Sequence, residues 1–162
     1  MRTNNEKVKN IIISLYFIIF VFGILILTLF NVFSDVSKNS TSTLIIIILI
    51  IALLFVLTYR VSKFFEYDSD GIKVVFLNKG LLLTEYLNYR EHKLELDKDK
   101  LIGFKFHNYY FYKTLVIYYL SRHNNKKREV FNVTLVSRKK RRYIKQSIRK
   151  IIKHNTQSKQ QF

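Results

Sequence analysis

Residues 11–33 and 44–59 form runs of 23 and 16 side chains without a formal charge. Nothing else in the chain limits the fold as much. A bilayer core takes roughly 17–25 apolar residues in helical form, and Thr41, Ser42 and Thr43 bring the second run to about that length. Only Ser14, Tyr16, Gly23, Thr28 and Asn31 interrupt the first run. A surface helix of a soluble protein carries an apolar stripe, whereas these segments are apolar all round. The expectation is a membrane hairpin with transmembrane helices at 11–33 and 43–60, a loop at 34–42 and a short tail at 1–10. The first run exceeds the roughly 7–15 residues of a signal-peptide apolar region and does not end on small residues. An uncleaved anchor is expected.

Flanking charge sets the orientation. Arg2, Lys7 and Lys9 precede the first run, Arg60 and Lys63 follow the second, and the loop holds Lys38 against Asp35. Both termini are therefore expected in the cytoplasm and the loop outside.

Residues 61–154 read as a small antiparallel β domain ending in a helix. Asp68, Ser69, Asp70 and Gly71 separate two apolar alternations, the strongest short-range hairpin signal. Strands are expected at 63–68, 72–77, 81–87, 89–96, 101–107, 114–120 and 129–136, about seven in all, with a second turn at Asn78, Lys79 and Gly80. In the fifth strand, strict alternation puts Leu101, Gly103, Lys105 and His107 on one face and Ile102, Phe104 and Phe106 on the other. Phe131, Val133 and Leu135 are expected to face inward. Ser137 reads as a helix N-cap. Beyond it Ile144, Ile148, Ile151 and Ile152 recur at helical spacing, giving an amphipathic helix of roughly 16–18 residues and a frayed tail at 155–162. A lone small sheet leaves an open edge and an exposed face. Curling it around the terminal helix covers both.

The order of these elements resembles the bacterial pleckstrin-homology-like membrane proteins. Two apolar helices run directly into Tyr67, Asp68, Ser69, Asp70, Gly71 and Ile72. Asp99, Leu101, Ile102 and Phe104 follow, then the hairpin at 114–136 and the terminal helix. The resemblance covers most of the chain. It implies an α+β membrane protein: a transmembrane helical hairpin followed by a pleckstrin-homology-like antiparallel β-barrel of about seven strands, capped by a C-terminal amphipathic helix. It also implies a bacterial inner-membrane location and a binding or assembly role without a reaction.

The residues themselves offer no catalytic constellation. The chain contains no cysteine, which excludes disulfides and thiol nucleophiles. His92, His107, His123 and His154 lack close ligand spacing, and Gly23, Gly71, Gly80 and Gly103 are too scattered for a phosphate loop. Glu91, Glu95, Asp97 and Asp99 alternate with Lys93, Lys98 and Lys100, the pattern of a solvated, charge-balanced edge. No cofactor and no enzymatic activity are expected.

Positive charge is concentrated at the end of the chain. Residues 122–162 hold 14 Lys and Arg against the single acid Glu129. Arg138, Lys139, Lys140, Arg141 and Arg142 open the terminal helix, where the helix dipole makes each cation unfavourable by roughly 0.3–1 kcal/mol. Lys126, Lys127 and Arg128, expected in a preceding loop, extend the same field. An anion there gains from the charge and from free backbone N–H groups. For a tethered domain the nearest abundant anions are phospholipid headgroups. A solvated basic face is the simpler alternative, and the membrane tether disfavours nucleic acid. Tyr109, Tyr110, Phe111 and Tyr112 fit core packing, a membrane-interface belt or a partner-binding lip.

The expected function is a non-enzymatic membrane protein whose cytoplasmic module binds anionic headgroups, a protein partner or a second copy of itself. The alternative is an auxiliary or self-protection subunit for a transporter or a membrane-active peptide. Reporters fused after Lys9 and after Phe162 are expected to register as cytoplasmic, and one near Lys38 as external. An external C-terminus overturns the orientation.

Overall fold

Phe65 and Tyr67 on one strand, and Val74 and Phe76 on the next, follow the period of two that puts alternate side chains on one face. All four are fully buried. They belong to a computed structural model that describes residues 1–33, 40–80, 91–121 and 123–160. The expected strand at 81–87, part of the strand at 89–96, most of the loop at 34–42, Arg122 and the last two residues lie outside these. The chain divides into two compact units: Lys7–Arg60, and Met1–Glu6 together with Val61–Phe162.

The first unit holds α1 (Lys9–Phe33) and most of α2 (Ser40–Val61). Two helices are long and apolar enough to cross a membrane. They touch through Tyr16 and Phe55, whose rings stack at 5.7 Å, and at Gly23, where an added Cβ would lie 3.5 Å from Ile51. Phe17, Phe20, Leu49 and Leu53 are exposed on the unit. The hydroxyls of Thr28 and Thr58 donate to carbonyls one turn back, at 2.6 and 2.8 Å, so these polar groups are satisfied within their own helices.

The second unit is α+β. One sheet runs β1 (Arg2–Asn4), β2 (Lys63–Asp68), β3 (Lys73–Gly80), β4 (His92–Asp97), and the other β5 (Leu101–Asn108), β6 (Lys113–Leu120), β7 (Lys126–Asn132). Every pairing is antiparallel. The helix α3 (Arg138–Gln160) completes it. Leu96, Leu101, Leu115, Ile117, Phe131, Ile144 and Ile148 join the four residues above in one core drawn from both sheets and α3. The expected closed barrel is not found among the described residues; β4 and β5 lie in separate sheets.

The expected hairpin at Asp68–Gly71 joins β2 to β3, tightened by the Asp70 N–H donating to Asp68 Oδ1 at 2.9 Å. Several local expectations are corrected. Arg2–Asn4 is a strand rather than a tail, because it pairs with β2 and Asn5 is locked behind it. Asn5 Oδ1 accepts the Phe65 N–H at 2.8 Å, and Asn5 Nδ2 donates to the Lys63 carbonyl at 3.0 Å. Asn78, Lys79 and Gly80 continue β3 instead of turning. A bulge between Leu101 and Gly103 shifts the face assignment in β5, so Leu101 packs into the core alongside Phe104 and Phe106. The last strand begins at Lys126 and ends at Asn132. Val136, not Leu135, is the buried residue of the turn that follows. The terminal helix is also longer than expected, running through residues 155–160.

Asn78 bridges the two sheets. Its Nδ2 donates to the carbonyls of Phe64 at 2.8 Å and Asn132 at 3.0 Å, and its Oδ1 accepts the Asn132 N–H at 2.6 Å. Both asparagines are buried, so removing the amide strands backbone groups away from water. Asn78→Ala is expected to cost about 3 kcal/mol. Amide hydrogen exchange of β7 in the detergent-solubilised chain checks this. Unchanged protection means that the Asn78 amide does not hold the sheets together.

Candidate anion-binding interface

Ser137 starts α3 as the sequence predicts. Its hydroxyl accepts the Lys140 N–H at 3.4 Å and its carbonyl the Arg141 N–H at 2.9 Å. Ile144 and Ile148 are fully buried, and Ile151 and Ile152 pack at the margin. Polar pins fix the same face. The Ser147 hydroxyl bonds Tyr67 Oη at 2.9 Å and Ser69 Oγ at 3.2 Å, while Asn155 Nδ2 donates to the carbonyls of Lys98 at 2.6 Å and Leu101 at 3.1 Å. Burial holds the Tyr67 phenol above its ordinary pKa, against the opposing effect of the serine hydroxyls.

The opposite face is cationic from end to end. Arg138, Arg142, Lys145 and Arg149 fall at i, i+4, i+7 and i+11, one line along a helix. Lys139, Lys150 and Lys153 flank that line, and all seven are exposed. None has a hydrogen-bond or ion-pair partner among the described residues, and α3 contains no acid. Sequence reasoning reached only the first turns. The spacing from Arg138 to Arg149 was the available signal for the rest.

The five-residue basic block divides by role. Lys140 Nζ donates to the Asn4 carbonyl, tying α3 to β1. Arg141 Nη1 donates to Asn108 Oδ1 at 3.3 Å, tying α3 to the end of β5, while its Nε is buried without an acceptor among the described residues. Burial, and then the charge of Arg138, lower the Arg141 pKa below its ordinary value. Arg138, Lys139 and Arg142 remain as the free cations of the block.

Lys126, Lys127 and Arg128 do not join the start of α3. They are exposed at the beginning of β7, and the chain reaches α3 from the other end of that strand. The six-residue advance to Asn132 spans ~20 Å, well beyond a screening length of ~8 Å at physiological salt. Tyr109, Tyr110, Phe111 and Tyr112 form the tip of the β5–β6 hairpin, closed by the Tyr109 N–H donating to the Tyr112 carbonyl at 2.8 Å. They are not core residues: Tyr110 is 100% and Phe111 84% exposed. A groove of about 630 Å³ opens beside the middle of α3, with Ser69, Lys98, Tyr143, Lys150 and His154 in its wall and no carboxylate among its lining side chains.

Several acids are engaged elsewhere. Glu95 meets Lys73 at 3.1 Å and Lys93 at 3.2 Å, which lowers its pKa. Asp97 meets Lys100 at 2.6 Å and Glu91 meets Lys79 at 3.7 Å. His92 Nε2 lies 2.9 Å from Glu129, its ring stacked on Phe131. Among the described residues no group of three or more His, Asp or Glu is placed to hold a metal ion. No family model, curated protein or solved structure matches this chain.

Lys140 and Arg141 carry structural contacts, so Arg138, Lys139 and Arg142 can be changed without breaking them. Replacing these three with Gln preserves helix propensity and removes repulsion at the positive end of the helix. The unit is expected to gain about 1 kcal/mol at low ionic strength, with the gain fading at high salt. Thermal unfolding at two salt concentrations checks this. A loss of stability means the three side chains make contacts that hold the fold.

Proposed function

We propose that this chain is a non-enzymatic, integral membrane protein of the inner-membrane type, whose α+β unit holds anionic phospholipid headgroups against the cationic face of α3. The observation that carries the reading is the row of seven exposed cations without a partner among the described residues. Basic residues beside a membrane anchor gain about 1 kcal/mol each from anionic lipid. The antiparallel sheets and terminal helix are compatible with a pleckstrin-homology-like module. The pairing of β1 with β2 supports the orientation: one strand precedes α1, the other follows α2, and two crossings return the chain to the bilayer face it left.

Chain continuity supports a graded effect. Through Lys140 and Arg141, the start of α3 is bonded to Asn4 and to Asn108, and Asn4 lies just before α1. Lys153 sits ~22 Å further along the helix, beyond a screening length of ~8 Å at physiological salt, so the cations at the start of α3 carry most of the attraction.

The full chain, reconstituted in mixed phosphatidylglycerol and phosphatidylcholine and extracted in mild detergent, is expected to retain phosphatidylglycerol preferentially. Arg138, Lys139 and Arg142 changed together to Gln should reduce that preference about tenfold or more at low salt. Lys126, Lys127 and Arg128 changed to Gln should leave most of it. Equal retention of both lipids by the parent chain removes the headgroup reading and leaves the α3 face to a protein partner.

A further inference from the structure

We infer that the β5–β6 hairpin tip is a second membrane contact, an aromatic wedge that enters the interface of an anionic bilayer beside the basic start of α3. The inference rests on the membrane-spanning reading of α1 and α2 and adds a surface to it.

Four aromatic side chains occupy the turn, and they point outward. Tyr110 and Phe111 are almost wholly exposed and Tyr109 more than half. A tip of this kind sits poorly in water. Tyr and Phe at a headgroup boundary can bury their rings while the phenol hydroxyls stay hydrated.

Hydrogen bonds place this tip at one particular end of the unit. Lys63 begins β2 immediately after α2, and its carbonyl accepts from Asn5, which precedes α1. Asn78 bonds the neighbouring Phe64 carbonyl and the backbone of Asn132. Asn132 pairs with Thr114 in β6, and Lys113 beside it pairs with Asn108, the last residue before the tip. Arg141 holds Asn108, and Lys140 returns to Asn4. The tip therefore rises from the end of the unit at which the chain leaves for α1 and returns from α2. The turn between β2 and β3, with Ile72 at 87% exposure, lies at the far end of the same strands.

Charge selects the occupant. Arg138, Lys139 and Arg142 stand on the same first turns of α3 as Arg141, exposed and without partners among the described residues. An aromatic tip beside clustered cations complements a surface with an apolar interior and an anionic boundary.

The chain has no tryptophan, so a single one reports cleanly. Phe111→Trp in the full chain, reconstituted in phosphatidylcholine with phosphatidylglycerol, is expected to emit further to the blue than Ile72→Trp. It should lose fluorescence to lipids brominated near the glycerol backbone, whereas Ile72→Trp should be quenched only by aqueous iodide. Adding Arg138→Gln, Lys139→Gln and Arg142→Gln should weaken the lipid quenching of Phe111→Trp. Phe22→Trp, at the middle of α1, tests the underlying reading with lipids brominated deep in their acyl chains. If lipid bromines quench Phe22→Trp but not Phe111→Trp, the wedge is wrong and the spanning helices stand. If they quench neither, both fail. A Phe111→Trp signal shielded from iodide and also untouched by brominated lipid assigns the tip to a protein partner and overturns the proposal.

Discussion

The α+β unit depends on a pair of buried amides. The Asn78 side chain, near the end of β3, exchanges hydrogen bonds with the backbone of Asn132 at the end of β7 and bonds the Phe64 carbonyl as well. Without that bracket the four-stranded and three-stranded sheets would meet through side-chain packing and the exposed His92–Glu129 contact alone. Amide groups are directional, so the bracket fixes which strand ends coincide as well as holding them together. The position of everything at that end follows, including the start of α3 and the aromatic turn.

A second consequence concerns the N-terminus. Residues 1–5 precede α1 yet belong to the β unit: β1 extends the sheet beyond β2, and Asn5 behaves toward β2 as Asn78 behaves toward β7. Both ends of the helical segment are thus anchored in the same compact body. The outer edge of β2 is covered by the chain's own first strand, which removes a row of unpaired backbone groups from a sheet edge.

Charge is arranged differently on the two faces of α3. The inward face carries Ile144, Ile148 and the hydroxyl of Ser147, so the helix is fixed by burial and by short polar contacts. The outward face is free to be cationic because nothing among the described residues packs against it. Glu91, Glu95 and Asp97 are spent on local ion pairs around β3 and β4. The separation leaves a one-signed surface along the helix, which gives the domain a directional attraction for anions.

Much of this was written in short-range pattern. Two apolar runs, the Asp-Gly turn, the alternation in β2, the Ser137 cap and the isoleucine spacing of α3 each depend on neighbours within a turn or a hairpin, so composition and period reveal them. The tertiary structure decided the rest. Asn78 looks like a turn residue until Asn132, 54 positions away, supplies the bonds that keep it in a strand. Arg2–Asn4 has no strand signature of its own and becomes one because β2 offers it an edge. The bulge at Ile102 depends on the register with β6. Lys126, Lys127 and Arg128 are close to Arg138 in sequence and far from it in space, since an extended strand lies between them. Local sequence determines which conformations are cheap. Pairing across long separations selects among them, because a buried backbone group must find its partner wherever the chain brings one.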